Sequence, residues 1–158
     1  MVLEKFWRNV SWHVEITEGR SDARVRPVTG SGPESEELAM RFMTMVKFDE
    51  SLPMGAPPAA LFEAMGEFAA EGARNGTLVD QGGLLPSAAG AIVSLVNGSI
   101  KAVDGPFTEA KELVGGYAVL EVRSRTEAVE LAKRLMQIHK DHWPGWEGSC
   151  EVRQLGDS

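Results

Sequence analysis

Asp104, Glu109 and Lys111 fall within one short stretch, DGPFTEAKE, that runs from Asp104 to Glu112. A carboxylate and an ammonium group lining one pocket can take and return a proton, provided burial shifts their pKa values. Asp104 is the first candidate base. Asp80 is the second, because it ends a short strand from which it can approach the DGPF turn across a sheet. His142 is the third, since an imidazole titrates near neutrality. Gly105, Phe107, Glu109, Lys111 and Tyr117 are the candidate ligand-binding residues, Tyr117 being the sole tyrosine. A purely structural account fits the same residues. Asp104 can accept from turn amides, Gly105 and Pro106 set the turn dihedrals, Phe107 can anchor the turn, and Asp80 can be an exposed strand-end acid.

Other chemistries find less support. His139 and His142 flank Asp141 and are three residues apart, which places two nitrogens on one helical face. No third ligand pattern such as His-Glu-x-x-His accompanies them, so neither a metal nor another cofactor is expected. A phosphate loop, a dinucleotide fingerprint and a serine nucleophile elbow are all absent from the sequence. The net charge of -7, without any run of Lys or Arg, argues against binding a nucleic-acid backbone. No apolar stretch reaches membrane-spanning length. Cys150 is the only cysteine, so no internal disulfide can form, and a reducing cytoplasmic setting is expected.

The candidates must be held by elements that the patterning makes plain. RFMTMVKF alternates, with Phe42, Thr44, Val46 and Phe48 on one face and Met43, Met45 and Lys47 on the other. Leu61, Met65, Phe68 and Gly72 recur at helical spacing, and Asn75-Gly76 is a left-handed stop. AIVSLV and SIKAV flank Asn97-Gly98, the strongest short hairpin signal. LVGGYAVLEV follows as a strand, with Gly115-Gly116 marking a bulge or a close backbone approach. Ser124 and Glu127 form a capping box that starts a second helix, on which Glu130 and Arg134 are spaced for an i, i+4 pair. SCEVRQL is a last strand.

The resulting order is β-α-β, hairpin, β-α-β. Two helices can shelter one face of an antiparallel sheet, which gives an α+β fold with the other face open. Met43 and Met45 make that face a candidate interface, so a homodimer formed through it or beside it is expected. Residues 40–158 form this domain. Residues 1–39 are rich in Gly, Ser, Pro, Arg and Glu and are expected to be a flexible extension, with either an alternative start at Met40 or a mobile docking arm as its origin.

With these elements in place, VDGPFTEAKELVGGYAVLEV, together with MRFMTMVKF, GTLVDQGGLLPS, SRTEAVELAKR and EVRQL, resembles the DGPF-type branch of the YCII-related domain family. The resemblance implies a ferredoxin-like plait of the dimeric α+β barrel type. It also implies a homodimer, and relatives with lyase-like or dehalogenating activity on small organic molecules. DGPF-type members are often encoded beside extracytoplasmic-function sigma factors, which implies a non-catalytic partner or sensor role as the alternative. Shorter members carry a histidine on the first helix that is proposed to pair with an aspartate. PPAALFEAMGEFAAEGARNG has no histidine, so that dyad does not carry over.

Overall fold

The computed structural model describes residues 39–107, 109 and 111–156. The expected N-terminal extension, apart from Ala39, lies outside the described residues. Alternation places β1 at Met40–Phe48, antiparallel to both β5 (Leu113–Val122) and β6 (Ser149–Gln154). β2 (Leu78–Gly83) pairs with the far side of β5. The four strands form one sheet in the order β2-β5-β1-β6. Two helices, α1 (Ala59–Asn75) and α2 (Arg125–His142), pack on it and on each other.

The core lies beneath the helices, where the even-numbered face of β1 meets β5. Phe42 is 1% exposed and packs with Leu120, Val122 and Ala128, and Met40, Leu78, Ala118, Leu131 and Val152 surround this group. Thr44 is buried on the same face and donates to the Ala118 carbonyl, which satisfies its hydroxyl. The glycine pair marks a bulge, Gly115 standing without a β1 partner between Gly116, opposite Val46, and Val114, opposite Lys47. The β1–β5 register shifts between Val46 and Lys47, and the Phe48 ring lies where a Gly115 side chain would be.

The start of α2 follows the capping-box expectation, since the Ser124 hydroxyl accepts from the Glu127 amide at 3.2 Å. The expected Glu130–Arg134 pair does not form. Glu130 takes Lys133 at 2.7 Å, while Arg134 reaches across to α1 and places both terminal nitrogens 2.9 Å from the Glu71 carboxylate. A guanidinium prefers that two-point grip, and here it also rests over the Phe68 ring at 4.8 Å. The pairing holds the Glu71 carboxyl below the usual carboxylate range.

The α+β class stands, but the ferredoxin-like plait of the dimeric α+β barrel type does not. No sheet closes into a barrel, because the edge strands β2 and β6 remain unpaired with each other. β3 (Ala91–Val96) and β4 (Ser99–Asp104) form a second sheet of two strands only. Their turn is of the expected kind, with Asn97 at φ 51° and Gly98 at φ 77°. The Asn-Gly loop between two apolar runs predicts a hairpin here, but it carries no information about which sheet the strands join.

The open face of the larger sheet is less apolar than its methionines suggested. Met43 and Met45 are half-buried and Val119 is buried. Arg41, Lys47, Glu121, Glu151 and Arg153 share this face with them through the strand registers. The exposed aliphatic surface lies mainly on the hairpin instead.

Candidate functional site

The DGPF stretch begins where β4 ends, and the loop from β2 to β3 determines its shape. A 3-10 turn at Ser87–Ala89 presents the Ser87 carbonyl to Gly105, so closely that a Cβ built on Gly105 would overlap it. The Gly105 amide donates to the Gly90 carbonyl at 2.8 Å, and the Phe107 ring lies against Gly90. The Phe107 amide donates to the Ser87 hydroxyl oxygen at 3.0 Å. Glu50, from the loop after β1, completes the arrangement by accepting from the Ser87 amide at 2.8 Å and from the Ser87 hydroxyl. Ser87 is itself buried. Glu50, Ser87, Gly105 and Phe107 thus form a latch that ties the hairpin base to two loops.

Sequence reasoning singled out Gly105 and Phe107 but missed Glu50 and Ser87. They are 37 residues apart, and neither type is distinctive in a loop. Glu50→Ala would leave two Ser87 donors without their acceptor. We expect about 2 kcal/mol of lost stability in urea denaturation, and about half of that for Glu50→Gln, which keeps one acceptor.

The candidate acids and bases do not converge. Asp104 is exposed at the end of β4 in the smaller sheet. Asp80 is exposed on β2 in the larger sheet, where its carboxylate accepts from the Gln81 amide at 2.8 Å and from the Tyr117 hydroxyl at 3.3 Å. His142 ends α2. Glu109 and Lys111 are both exposed. No hydrogen bond or ion pair among the described residues links Asp80, Asp104 and His142. Two shallow clefts, of about 550 and 640 Å3, lie along α2 and the segment after it and contain no residue of the DGPF stretch.

What the structure does bring together lies on the open sheet face. Tyr117 and Asp80 form one pair. The charge on Asp80 pushes the Tyr117 hydroxyl pKa up, and partial desolvation adds to the effect. Lys47 contacts Glu151 at 3.1 Å and Glu112 at 3.4 Å. These carboxylates, Glu151 foremost, raise its pKa and keep it an ammonium ion. Both shifts oppose general acid–base work near neutrality, where a phenol must ionise or an ammonium must lose its proton. Burial likewise pushes the Cys150 thiol up, away from the thiolate form that attacks electrophiles.

The two helix-end histidines separate rather than share a ligand. His139 is buried, its Nδ1 lies 2.8 Å from the Leu135 carbonyl, and its ring centroid is 4.6 Å from that of Trp146. Among the described residues no group of three or more His, Cys, Asp or Glu side chains is placed to hold a metal. Burial lowers the His139 pKa, opposed by the Leu135 carbonyl. The folded state therefore favours neutral imidazole, and the unfolded state binds the proton more readily. This contribution to stability is complete above the unfolded pKa of about 6.5 and is lost as pH falls from there toward the lower folded value. Urea denaturation at pH 7.5 and 5.5 should show the loss, and His139→Gln should flatten the difference.

These features define a two-layer α+β domain with a charged open sheet face and a latched hairpin. The chain belongs to the YCII-related domain family, which matches residues 40–144 and so spans β1 through α2. No curated protein matches the chain. No helix among the described residues is long and apolar enough to cross a membrane.

Proposed function

We propose that this chain is a cytosolic, homodimeric, DGPF-type member of its family that works by binding a partner rather than by turning over a substrate. One observation carries this reading: Asp80, Asp104 and His142 lie on three different elements, and no hydrogen bond or ion pair among the described residues joins them. Gly105 and Phe107 of the DGPF stretch are used for the latch, which supports a structural role for the motif, while Asp104, Glu109 and Lys111 are exposed. The assignment to the DGPF-type branch rests on the position of the tetrapeptide, directly after a hairpin and before the Gly-Gly-Tyr strand. The sigma-factor setting implied by that resemblance is where a partner or sensor role would be sought.

The test is halide release from small chlorinated organic acids incubated with the full chain. We expect none above the buffer rate. Release that Asp104→Asn or Asp80→Asn abolishes would overturn the binding-only reading. A second reading has support from one feature. The Asp80–Tyr117 pair offers a hydroxyl and a carboxylate side by side on the open face, with Gly82 leaving room for the ring. Those groups suit a small organic ligand that carries a donor and an acceptor. A thermal-shift screen repeated on Tyr117→Phe reads this directly, because a ligand held there would lose its shift while the fold is kept.

A further inference from the structure

β6 is an edge strand, paired with β1 on one side and with no strand among the described residues on the other. The Leu155 amide donates to the Arg41 carbonyl at 2.8 Å, one step beyond the Phe42–Gln154 pair in the same register. Antiparallel pairing alternates, so Glu151 and Arg153 turn their amides and carbonyls toward β1, and Cys150, Val152 and Gln154 turn theirs outward. Edges are usually blunted by a bulge, a proline or a lysine. β2, the opposite edge, has a register shift between Leu78 and Asp80 and ends in Gly82-Gly83. β6 has none of these, since its sequence is SCEVRQ and its ladder with β1 is regular.

Beside that edge, the larger of the two clefts runs between β6 and α2. Cys150 and Val152 form one wall, and Val129 and Met136 belong to the other. Arg125, Lys133 and Lys140 also line it, and no acid does. All three cations are exposed. Lys133 contacts Glu130 at 2.7 Å, whereas Arg125 and Lys140 have no ion pair among the described residues. Asp141 accepts from Gln137, and Glu151 lies with Lys47 on the opposite face of the sheet. Glu147 enters only in the smaller cleft, which continues the groove through Met136 and Lys140. A groove lined by three cations stands out in a chain whose net charge is -7.

We propose that this groove docks an acidic segment of another protein, which adds to the β6 edge as an extended strand. The proposal rests on the partner-binding reading above and gives the partner a chemistry. The outward amides and carbonyls of Cys150, Val152 and Gln154 supply the backbone pairing, and alternate side chains of the added strand point toward α2. Along α2 the rise from Arg125 is about 6 Å to Val129, about 12 Å to Lys133 and about 22 Å to Lys140. Groove-facing positions of an extended chain recur about every 7 Å. A segment with acid, aliphatic, acid and acid at successive alternate positions therefore matches Arg125, Val129, Lys133 and Lys140. A second copy of this chain suits the groove poorly, because edge-to-edge pairing of two β6 strands would bring both sets of cations together. A nucleic-acid backbone would meet the chain-wide excess of acid.

The probe is a fluorescein-labelled peptide, Glu-Thr-Val-Thr-Glu-Thr-Glu, titrated with the full chain and read by fluorescence anisotropy. We expect saturable binding that weakens as salt is added. Arg125→Glu combined with Lys133→Glu should weaken it about tenfold or more with an unchanged far-UV circular dichroism spectrum. The matching Lys-Thr-Val-Thr-Lys-Thr-Lys peptide should then bind that variant instead. N-methylation of one alternate set of peptide amides should abolish binding, while methylation of the other set leaves it, because an added strand pairs along one side only. Binding that the double charge reversal leaves unchanged overturns the groove, and binding that survives both methylations overturns the strand addition. A polythymidine strand that displaces the probe at lower concentration than unlabelled peptide assigns the site to nucleic acid and overturns the proposal. Binding seen only after Glu34→Gln, Glu36→Gln and Glu37→Gln are combined overturns the partner in favour of the chain's own acidic stretch. No binding to either chain overturns the proposal outright. The partner-binding reading stands or falls separately, by the halide-release test.

Discussion

Gly105→Ala will cost about 3 kcal/mol or more, the largest effect expected of any single methyl group in this fold. The added Cβ has no free volume, since it would coincide with the Ser87 carbonyl oxygen and crowd the Ala88 amide at 3.2 Å. Both are backbone atoms, so no side chain can swing aside to make room. Either the 3-10 turn at Ser87–Ala89 or the strand end at Asp104 must move. Movement of either breaks the Gly105–Gly90 hydrogen bond and the Phe107–Ser87 hydrogen bond together. Equilibrium denaturation in urea reads the loss. A Gly105→Ala protein within 1 kcal/mol of the original stability would mean that the latch is slack. Ser87→Ala separates the two contributions, since it removes the hydroxyl contacts and leaves the backbone approach unchanged.

Phe42→Ala should lose about 4 kcal/mol, in the range for truncating a buried phenylalanine. Its ring sits where β1, β5 and α2 meet, against Leu120, Val122 and Ala128. These neighbours are fixed by the sheet ladder and by the capped start of α2, so they can collapse only partly into the space. Set against a typical domain stability of 5–15 kcal/mol, that loss is a large share of the total. The urea midpoint should fall with little change in slope, because the surface exposed on unfolding barely differs. A midpoint shift equivalent to less than 1 kcal/mol would relocate the core away from this seam.

The residues show which parts of this structure were legible beforehand. The strands, both helices and the Asn97-Gly98 turn follow from patterns only a few positions long, and local dihedrals and alternation determine them. The capping box at Ser124 is local in the same way. The i, i+4 spacing points Arg134 at Glu130, but its true partner lies on another helix, 63 residues away in sequence. Glu50 and Ser87 escaped notice for the same reason. The stretch from Asp104 to Lys111 looked like a cluster because its charges are adjacent in sequence, yet adjacency does not make side chains converge. Asp104 ends a strand of the detached sheet, whereas Asp80 belongs to the larger one. The detachment itself has no signal, since a short apolar run reads alike whether the strand joins the main sheet or stands apart.

The hydrogen bond between Gly90 and Gly105 brings the two ends of the hairpin side by side. The intervening stretch can therefore lengthen, shorten or change its surface while its roots stay where they are and the core strands keep their register. Changes confined to that segment need not jeopardise the folding of the domain that carries it.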